Sequence, residues 1–390
     1  MQAKHYIYIS CIALITGPLF FAFYNNWIII HIPIHRKFTE NSQSQSCKKN
    51  ITLWYWHTNN WHQEKKELLW SELNTENLTH IITSWLTLLN EEDMLEKKIS
   101  LQSVTLSSSG NEAYISFDHS PLGKQWSTHK KLFLLEGLLK TIRESGIKIQ
   151  QVRFLVHHQP LHDHHLDFSR SWPVTGFLPE NNASAPANPT TPKKITTIML
   201  DPSGDAKNTG RIIDDTFERG LTLQYAQELQ KQLEAQLPAT RIILTRFPGE
   251  SLEPLQNATF ANRLNTDLYI SINFYQETKN ISQLFLYYCM YNPITDFWKK
   301  KNDTLNFYPY NQAHRSALDT SYYYANVLEK QLPAFSKSSH AVINAKMGIP
   351  FAPLIGVQAP AIGIEIGLIQ KNDWHNFIAP VAHEILRIIG

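Results

Sequence analysis

The chain has 390 residues, of which 43% are hydrophobic, and its 36 basic and 34 acidic residues give a formal net charge of +2. This apolar content is sufficient for folded cores, and the length predicts two domains with a smaller additional segment. The near-neutral charge gives no electrostatic reason to expect a nucleic-acid partner, and we expect none.

The first predicted element is a membrane anchor over residues 6–32. This stretch contains no Asp, Glu, Lys or Arg, and a helix of its length crosses the ~30 Å hydrocarbon layer of a bilayer. Tyr6, Tyr8, Tyr24 and Trp27 are residue types that favour the two membrane interfaces. A cleaved signal peptide is the alternative, but its small-residue cleavage site is not evident. We therefore predict an uncleaved, single-pass anchor.

Residues 51–178 are predicted to form a small α+β domain. The helices have apolar residues at helical spacing, whereas one strand, NEAYISFD, alternates apolar and polar residues as a half-buried strand does. In chain order, the predicted elements are a strand, a helix, a strand, a helix and a strand, at 51–56, 77–90, 111–118, 129–144 and 149–158.

Two stretches near the end of this domain have unusual composition. HHQPLHDHH, residues 157–165, contains five histidines, and such tracts either bind zinc or copper or form an exposed loop; we favour the loop. Residues 179–194, PENNASAPANPTTPKK, have almost no large apolar side chains and cannot contribute to a core. They predict a linker between the first domain and residues 195–390.

Residues 195–390 are predicted to form an α/β domain. Because strands alternate with helices, we expect a mostly parallel sheet flanked by helices. Functional residues in such sheets lie where the strands end. The predicted strands are 193–200, 241–245, 267–273, 283–288 and 360–367, and the predicted helices are 217–237, 254–266, 320–332 and 374–389.

The strand ends of the second domain resemble those of the zinc-dependent N-acetylmuramoyl-L-alanine amidases of the amidase-3 family. The resemblance rests on IMLDP, RIILTR, ANRLNTDLYISIN and PAIGIEIGLIQKND, and on a Glu that opens the first long helix. It covers nearly all of residues 195–390. Separately, LWYW, AYISFD, IQQVRFLV and LDFSRSWP make residues 51–177 similar to the GerMN domain, a module of exported envelope proteins with no established catalytic residues.

The amidase resemblance implies a zinc site, and this sequence departs from it at two positions. The family's ligands are a His in a DPGHGG turn, a Glu at a helix start and a His in SIHAN, and its general base is the Glu of EIGF. This chain has Gly204, Glu218, Asn273 and Glu365 at those positions. Since zinc hydrolases keep three protein ligands, we expect no cofactor. Asp205, beside Gly204, is the candidate substitute ligand.

Three functions are compatible with this pattern. The first is a catalytically impaired envelope protein that binds peptidoglycan or a cell-wall hydrolase. The second is an active amidase with altered metal ligation, which would use zinc, or an oxygen-rich Mg²⁺ or Ca²⁺ site that adds Asp201 to the other carboxylates. The third is a structural scaffold for protein–protein contacts. The resemblances imply a bacterial cell membrane location, with both domains on the outer side.

Overall fold

The computed structural model describes residue 16 and residues 47–178, 194–253, 255–293, 295–297, 308–332 and 341–389. The chain divides into two compact units, Met1–Cys47 and Lys48–Gly390. The anchor predicted at 6–32, except residue 16, and the linker predicted at 179–194, except residue 194, lie outside the described residues. In the part of the chain that is described, no helix is long and apolar enough to cross a membrane.

The N-terminal segment, residues 47–178, is a hairpin followed by a mixed sheet with two helices. The sheet has the order β3-β4-β5-β6, with β7 also on β5; β4 and β5 are parallel and the other pairs are antiparallel. Its elements are β1 (Cys47–His57), β2 (Asn60–Trp70), α1 (Asn74–Glu91), β3 (Leu101–Leu106), β4 (Glu112–Phe117), α2 (Thr128–Glu144), β5 (Gln151–Val156), β6 (Gln159–Pro160) and β7 (Trp172–Pro173).

Helix α2 is the element of this segment that positions the site. Leu132, Leu135 and Leu139 have no exposed surface and form its buried face. The helix begins at Thr128 because the side chain of Ser127 caps it, accepting a hydrogen bond from the Lys130 amide at 3.1 Å. The amide of Thr128 has no partner within the helix and is left to bond elsewhere.

The C-terminal segment, residues 194–389, is an α/β domain. Its sheet has the order β11-β8-β12-β16-β13-β14, with β15 also on β13; β13 and β16 are antiparallel and the other pairs are parallel. Its elements are β8 (Thr197–Pro202), β9 (Ile212–Ile213), β10 (Thr216–Phe217), α3 (Glu218–Gln236), β11 (Arg241–Leu244), α4 (Gln256–Arg263), β12 (Leu268–Gln276), β13 (Ser282–Cys289), α5 (Leu318–Gln331), β14 (Ala341–Ile343), β15 (Met347–Ile349), β16 (Ala361–Leu368) and α6 (His375–Ile389).

Strand register brings the predicted site residues together. Asn273 on β12 lies directly opposite Glu365 on β16, and Ser271, two residues earlier, lies opposite Asp201 on β8. The three strands are parallel, so their carboxyl ends meet at one edge of the sheet. The mostly parallel α/β sheet predicted from the sequence is confirmed, and the site lies at that edge.

The two segments pack directly against each other within the unit Lys48–Gly390. The amide of Ala352 donates to the carbonyl of His165 at 2.9 Å, and the amide of Asp167 donates to that of Pro350 at 2.8 Å. Leu166, which is buried, forms an isolated β-bridge with Phe351. Residues before and after the predicted linker therefore share one interface.

Candidate functional site

Glu218 is fully buried, and its carboxylate accepts hydrogen bonds from two backbone amides. It opens α3, and no part of it is exposed. Oε2 accepts a hydrogen bond from the amide of Arg211 at 2.9 Å, and Oε1 accepts one from the amide of Phe274 at 2.8 Å. Gly210 permits the close approach of the preceding loop, since a Cβ there would lie 2.7 Å from Glu218 Oε2. Glu218 thus joins the loop to the end of β12.

Glu365 is also fully buried, and the protein supplies donors to both of its oxygens. Oε1 accepts from the Thr128 amide at 3.0 Å and from Thr128 Oγ1 at 2.7 Å. Oε2 accepts from the same amide at 3.1 Å and from the hydroxyl of Tyr287 at 2.9 Å. Burial and the adjacent Glu365 carboxylate hold the pKa of Tyr287 well above its usual value, so this hydroxyl remains a donor.

The guanidinium of Arg211 lies between the two carboxylates. Nη2 is 2.7 Å from Glu365 Oε1, and Nη1 is 3.7 Å from Glu218 Oε1. Nη1 also donates to the carbonyl of Phe274 at 2.9 Å, and the residue is 1% exposed. Burial alone would lower the pKa of Arg211, but the attraction of Glu365 and Glu218 outweighs it and raises the pKa. Sequence reasoning missed this residue, although an Arg after Gly210 in a loop leading to Glu218 was visible.

The two positions where the family has histidine are occupied differently. Gly204 has φ +79°, and a Cβ there would lie 2.7 Å from the Cβ of Arg219 and 3.0 Å from the carbonyl oxygen of Asn208. The loop therefore requires glycine at this position. Asn273 is fully buried and donates through Nδ2 to Ser271 Oγ at 3.0 Å.

Asp205, the candidate substitute ligand, holds its own loop. Oδ1 accepts from the amides of Lys207 and Asn208 at 2.7 and 2.6 Å, and Oδ2 accepts from the amide of Leu252 at 3.2 Å. Burial would raise its pKa, but these backbone donors outweigh burial and lower it. The oxygens of Asp205 are therefore committed to backbone groups.

Asp201 is likewise engaged, with Oδ1 accepting from Thr245 Oγ1 and Asn257 Nδ2, each at 2.7 Å. Among the described residues, no group of three His, Cys, Asp or Glu side chains is placed to hold a metal ion. The donors present also do not fit zinc, because a buried guanidinium lies between the two carboxylates and the neighbouring family positions offer an amide and a glycine. The same argument applies to the oxygen-rich Mg²⁺ or Ca²⁺ site.

A cavity of about 980 Å³ lies beside these site residues and is lined by both segments. Gly204, Asp205, Arg211 and Asn273 line it from the C-terminal segment. The N-terminal segment contributes Lys131 and residues from 95–99, 120–125 and 162–165, among them Glu96, Lys97, Lys124, Asp163 and His165.

The histidine tract does not act as one cluster. His157 and His158 occupy a turn with positive φ, and His157 Nδ1 lies 3.0 Å from Gln102 Nε2. His162 and His164 are exposed at the cavity, whereas His165 is buried and burial holds its pKa well below the usual value. Asp163 instead pairs with Lys131 at 2.5 Å.

The fold and site together define an α/β domain with two buried carboxylates, one that opens helix α3 and one on strand β16. Residues 198–379 match the family model Amidase_3, described as N-acetylmuramoyl-L-alanine amidase. This confirms the predicted resemblance of the C-terminal segment to that family. No curated protein sequence matches the chain. The GerMN resemblance of the N-terminal segment stays a prediction.

Several solved structures are similar to about half of the chain. The catalytic domain of CwlV, an amidase from Bacillus (Paenibacillus) polymyxa var. colistinus, is 16% identical, with 50% of this chain and 97% of that chain covered and a TM-score of 0.37. The apo form of Ami1 from Mycobacterium abscessus is 16% identical, with 50% of this chain and 99% of that chain covered and a TM-score of 0.37. The CwlD amidase of Clostridioides difficile was solved in complex with the GerS lipoprotein. It is 14% identical, with 50% of this chain and 98% of that chain covered and a TM-score of 0.35.

Proposed function

We propose that this protein is a membrane-anchored protein of the bacterial envelope that binds peptidoglycan through its amidase-like domain without cleaving it. The observation that carries this proposal is the state of Glu365, whose carboxylate is fully buried and accepts hydrogen bonds from Thr128, Tyr287 and Arg211. A general base must reach the proton that it abstracts. Glu365 is instead enclosed by donors of its own chain, which occupy both of its oxygens.

The cavity next to these buried residues supports ligand binding. A volume of about 980 Å³ is at the upper end of the usual range for small-molecule sites. Three of the lining carboxylates are already committed to protein groups, namely Asp163 to Lys131, Asp201 to Thr245 and Asp205 to backbone amides. Among the exposed side chains that the structure describes at the cavity, Lys97 and Lys124 outnumber the one acidic residue, Glu96. The two lysines suit the carboxylates of peptidoglycan stem peptides.

Co-sedimentation with purified sacculi tests this function. The detergent-solubilised full-length protein is expected to sediment with sacculi and to release no soluble muropeptides. Replacement of Lys97 and Lys124 by Gln is expected to weaken binding several-fold, at about 0.5 kcal/mol per exposed charge. The matched control replaces Lys65 and Lys148, exposed lysines outside the cavity lining, and leaves binding unchanged.

The alternatives give different results in the same assay. Release of muropeptides identifies an active amidase and overturns the proposed loss of catalysis. Absence from the sacculus pellet overturns peptidoglycan binding; pull-down of an added cell-wall hydrolase by the same protein would then favour the regulatory or scaffold function. The anchor is tested separately, since the full chain is expected to stay with membranes after a carbonate wash.

A further inference from the structure

The donors that enclose Glu365 come from both segments of the chain. Thr128, at the start of α2, belongs to the N-terminal segment, whereas Tyr287 and Arg211 belong to the C-terminal segment. We propose that the position of the family's metal site is, in this protein, an internal docking site. Arg211 supplies the positive charge, and the first turn of α2 is the partner that the site holds.

Charge balance supports this assignment. Two buried carboxylates are costly unless opposite charges and hydrogen bonds compensate them. The guanidinium of Arg211 contributes one full positive charge, and it contacts both Glu365 and Glu218. The N-terminus of α2 adds a partial charge of roughly +0.5 through its free amides. Together they supply most of the charge that a divalent metal would provide.

The surroundings of Thr128 show that this end of α2 is enclosed. Thr128 has no exposed surface, and the ring of the next residue, His129, lies between those of Phe133 and Phe285, at centroid distances of 4.1 and 4.6 Å. Phe285 lies on β13 of the C-terminal segment. Arg211 Nη2 also donates to Thr128 Oγ1 at 3.4 Å. This helix end thus contacts a carboxylate, an aromatic ring and a guanidinium of the other segment, which defines a specific docking geometry.

One further contact extends the docking site around Thr128. Gln125, just before α2, accepts a hydrogen bond through Oε1 from the amide of Ile212 at 2.7 Å. The loop that carries Arg211 therefore contacts the N-terminal segment through the Ile212 amide as well as through the guanidinium. This inference concerns contacts within the chain, so it stands whether or not the protein binds peptidoglycan.

A double-mutant cycle on the full-length protein tests the docking site. Arg211→Met and Glu365→Gln each remove one charge of the buried cluster and are expected to destabilise strongly, while in the double variant Glu218 is the one member of the cluster that lacks a counter-charge. We expect the unfolding equilibrium of the double variant to be at least ~10-fold more favourable to folding than the two single effects predict, a coupling of about 1.4 kcal/mol. Additive effects would overturn the proposal.

Hydrogen exchange supplies a readout that general destabilisation does not give. In Glu365→Gln, exchange of the Thr128 amide is expected to accelerate at least ~10-fold relative to amides of β4. Arg246→Met is the matched control, because Arg246 is buried but bonds to the carbonyls of Pro202, Ser203 and Arg219. It should lower stability without a selective effect on Thr128. Thr128→Val, which exchanges only the hydroxyl for a methyl group, is combined with whichever of Arg211→Met and Glu365→Gln folds, and additivity in that pair overturns the proposal equally.

Discussion

Replacement of Gly204 by Ala tests why a histidine does not fit the first of the family's ligand positions. The residue has φ +79°, and a Cβ would lie 2.7 Å from the Cβ of Arg219 and 3.0 Å from the carbonyl oxygen of Asn208. The left-handed conformation costs a residue with a Cβ roughly 1–2 kcal/mol. Forced overlap in a packed region costs about 1–3 kcal/mol more. We therefore expect Gly204→Ala to lower the free energy of unfolding by about 2–5 kcal/mol.

Two other glycines separate these contributions. Gly110 also has positive φ, at +73°, but a Cβ there meets nothing within 4 Å, so Gly110→Ala should cost only about 1–2 kcal/mol. Gly220 lies in the first turn of α3 with open space around it, and Gly220→Ala should stabilise the protein by about 0.5–1 kcal/mol. Urea unfolding of the three full-length variants provides the measurement. Equal stability of Gly204→Ala and the parent protein would refute the loop geometry and show that the loop can accommodate a side chain at this position.

Three further results are expected. Burial lowers the pKa of His129 to about 4; the charge of Lys279 also lowers it, whereas that of Glu365 opposes the shift. As the pH drops from 6.5 towards 4, the unfolded chain therefore takes up the proton before the folded protein does. The free energy of unfolding falls over this range, by about 2 kcal/mol at pH 5. His129→Phe should reduce this dependence in urea titrations, and an unchanged pH profile would contradict the assignment. Limited proteolysis should cut first within the predicted linker, residues 179–194, and the two fragments should then elute together on gel filtration; separate elution would contradict the interface. Finally, Gly204→His with Asn273→His should not create a zinc site while Arg211 is present, and stoichiometric zinc binding by that variant would show that the guanidinium yields to the metal.

The elements with strong periodicity were predictable from the sequence. The alternation in NEAYISFD correctly placed Ala113, Ile115 and Phe117 on one face of β4, where none has exposed surface. Strand β2 was missed because its centre, HQEKKE, is polar, and a hairpin with one exposed strand gives little apolar signal. Thr58 and Asn59, the two residues between β1 and β2, both have positive φ, and an Asn in such a turn was the available signal.

The predicted site residues were brought together by features that lie in the sequence only in part. Parallel strand ends account for the approach of Asn273 and Glu365, and that much follows from the α/β pattern. The position of Arg211 depends on the path of a loop, and Thr128 lies 237 residues from the carboxylate that it contacts. Periodicity reports which face of an element is buried, so it cannot report that one segment supplies donors to a carboxylate of the other.

The zinc content of the purified protein tests most directly whether the Arg211 guanidinium occupies the position that zinc has in the amidase-3 family. The protein would be produced in zinc-supplemented medium, purified without chelators, dialysed, and analysed by mass spectrometry of the metal against protein concentration. We expect well under one zinc per chain, with Glu218 and Glu365 paired to Arg211. One retained zinc per chain would contradict this expectation.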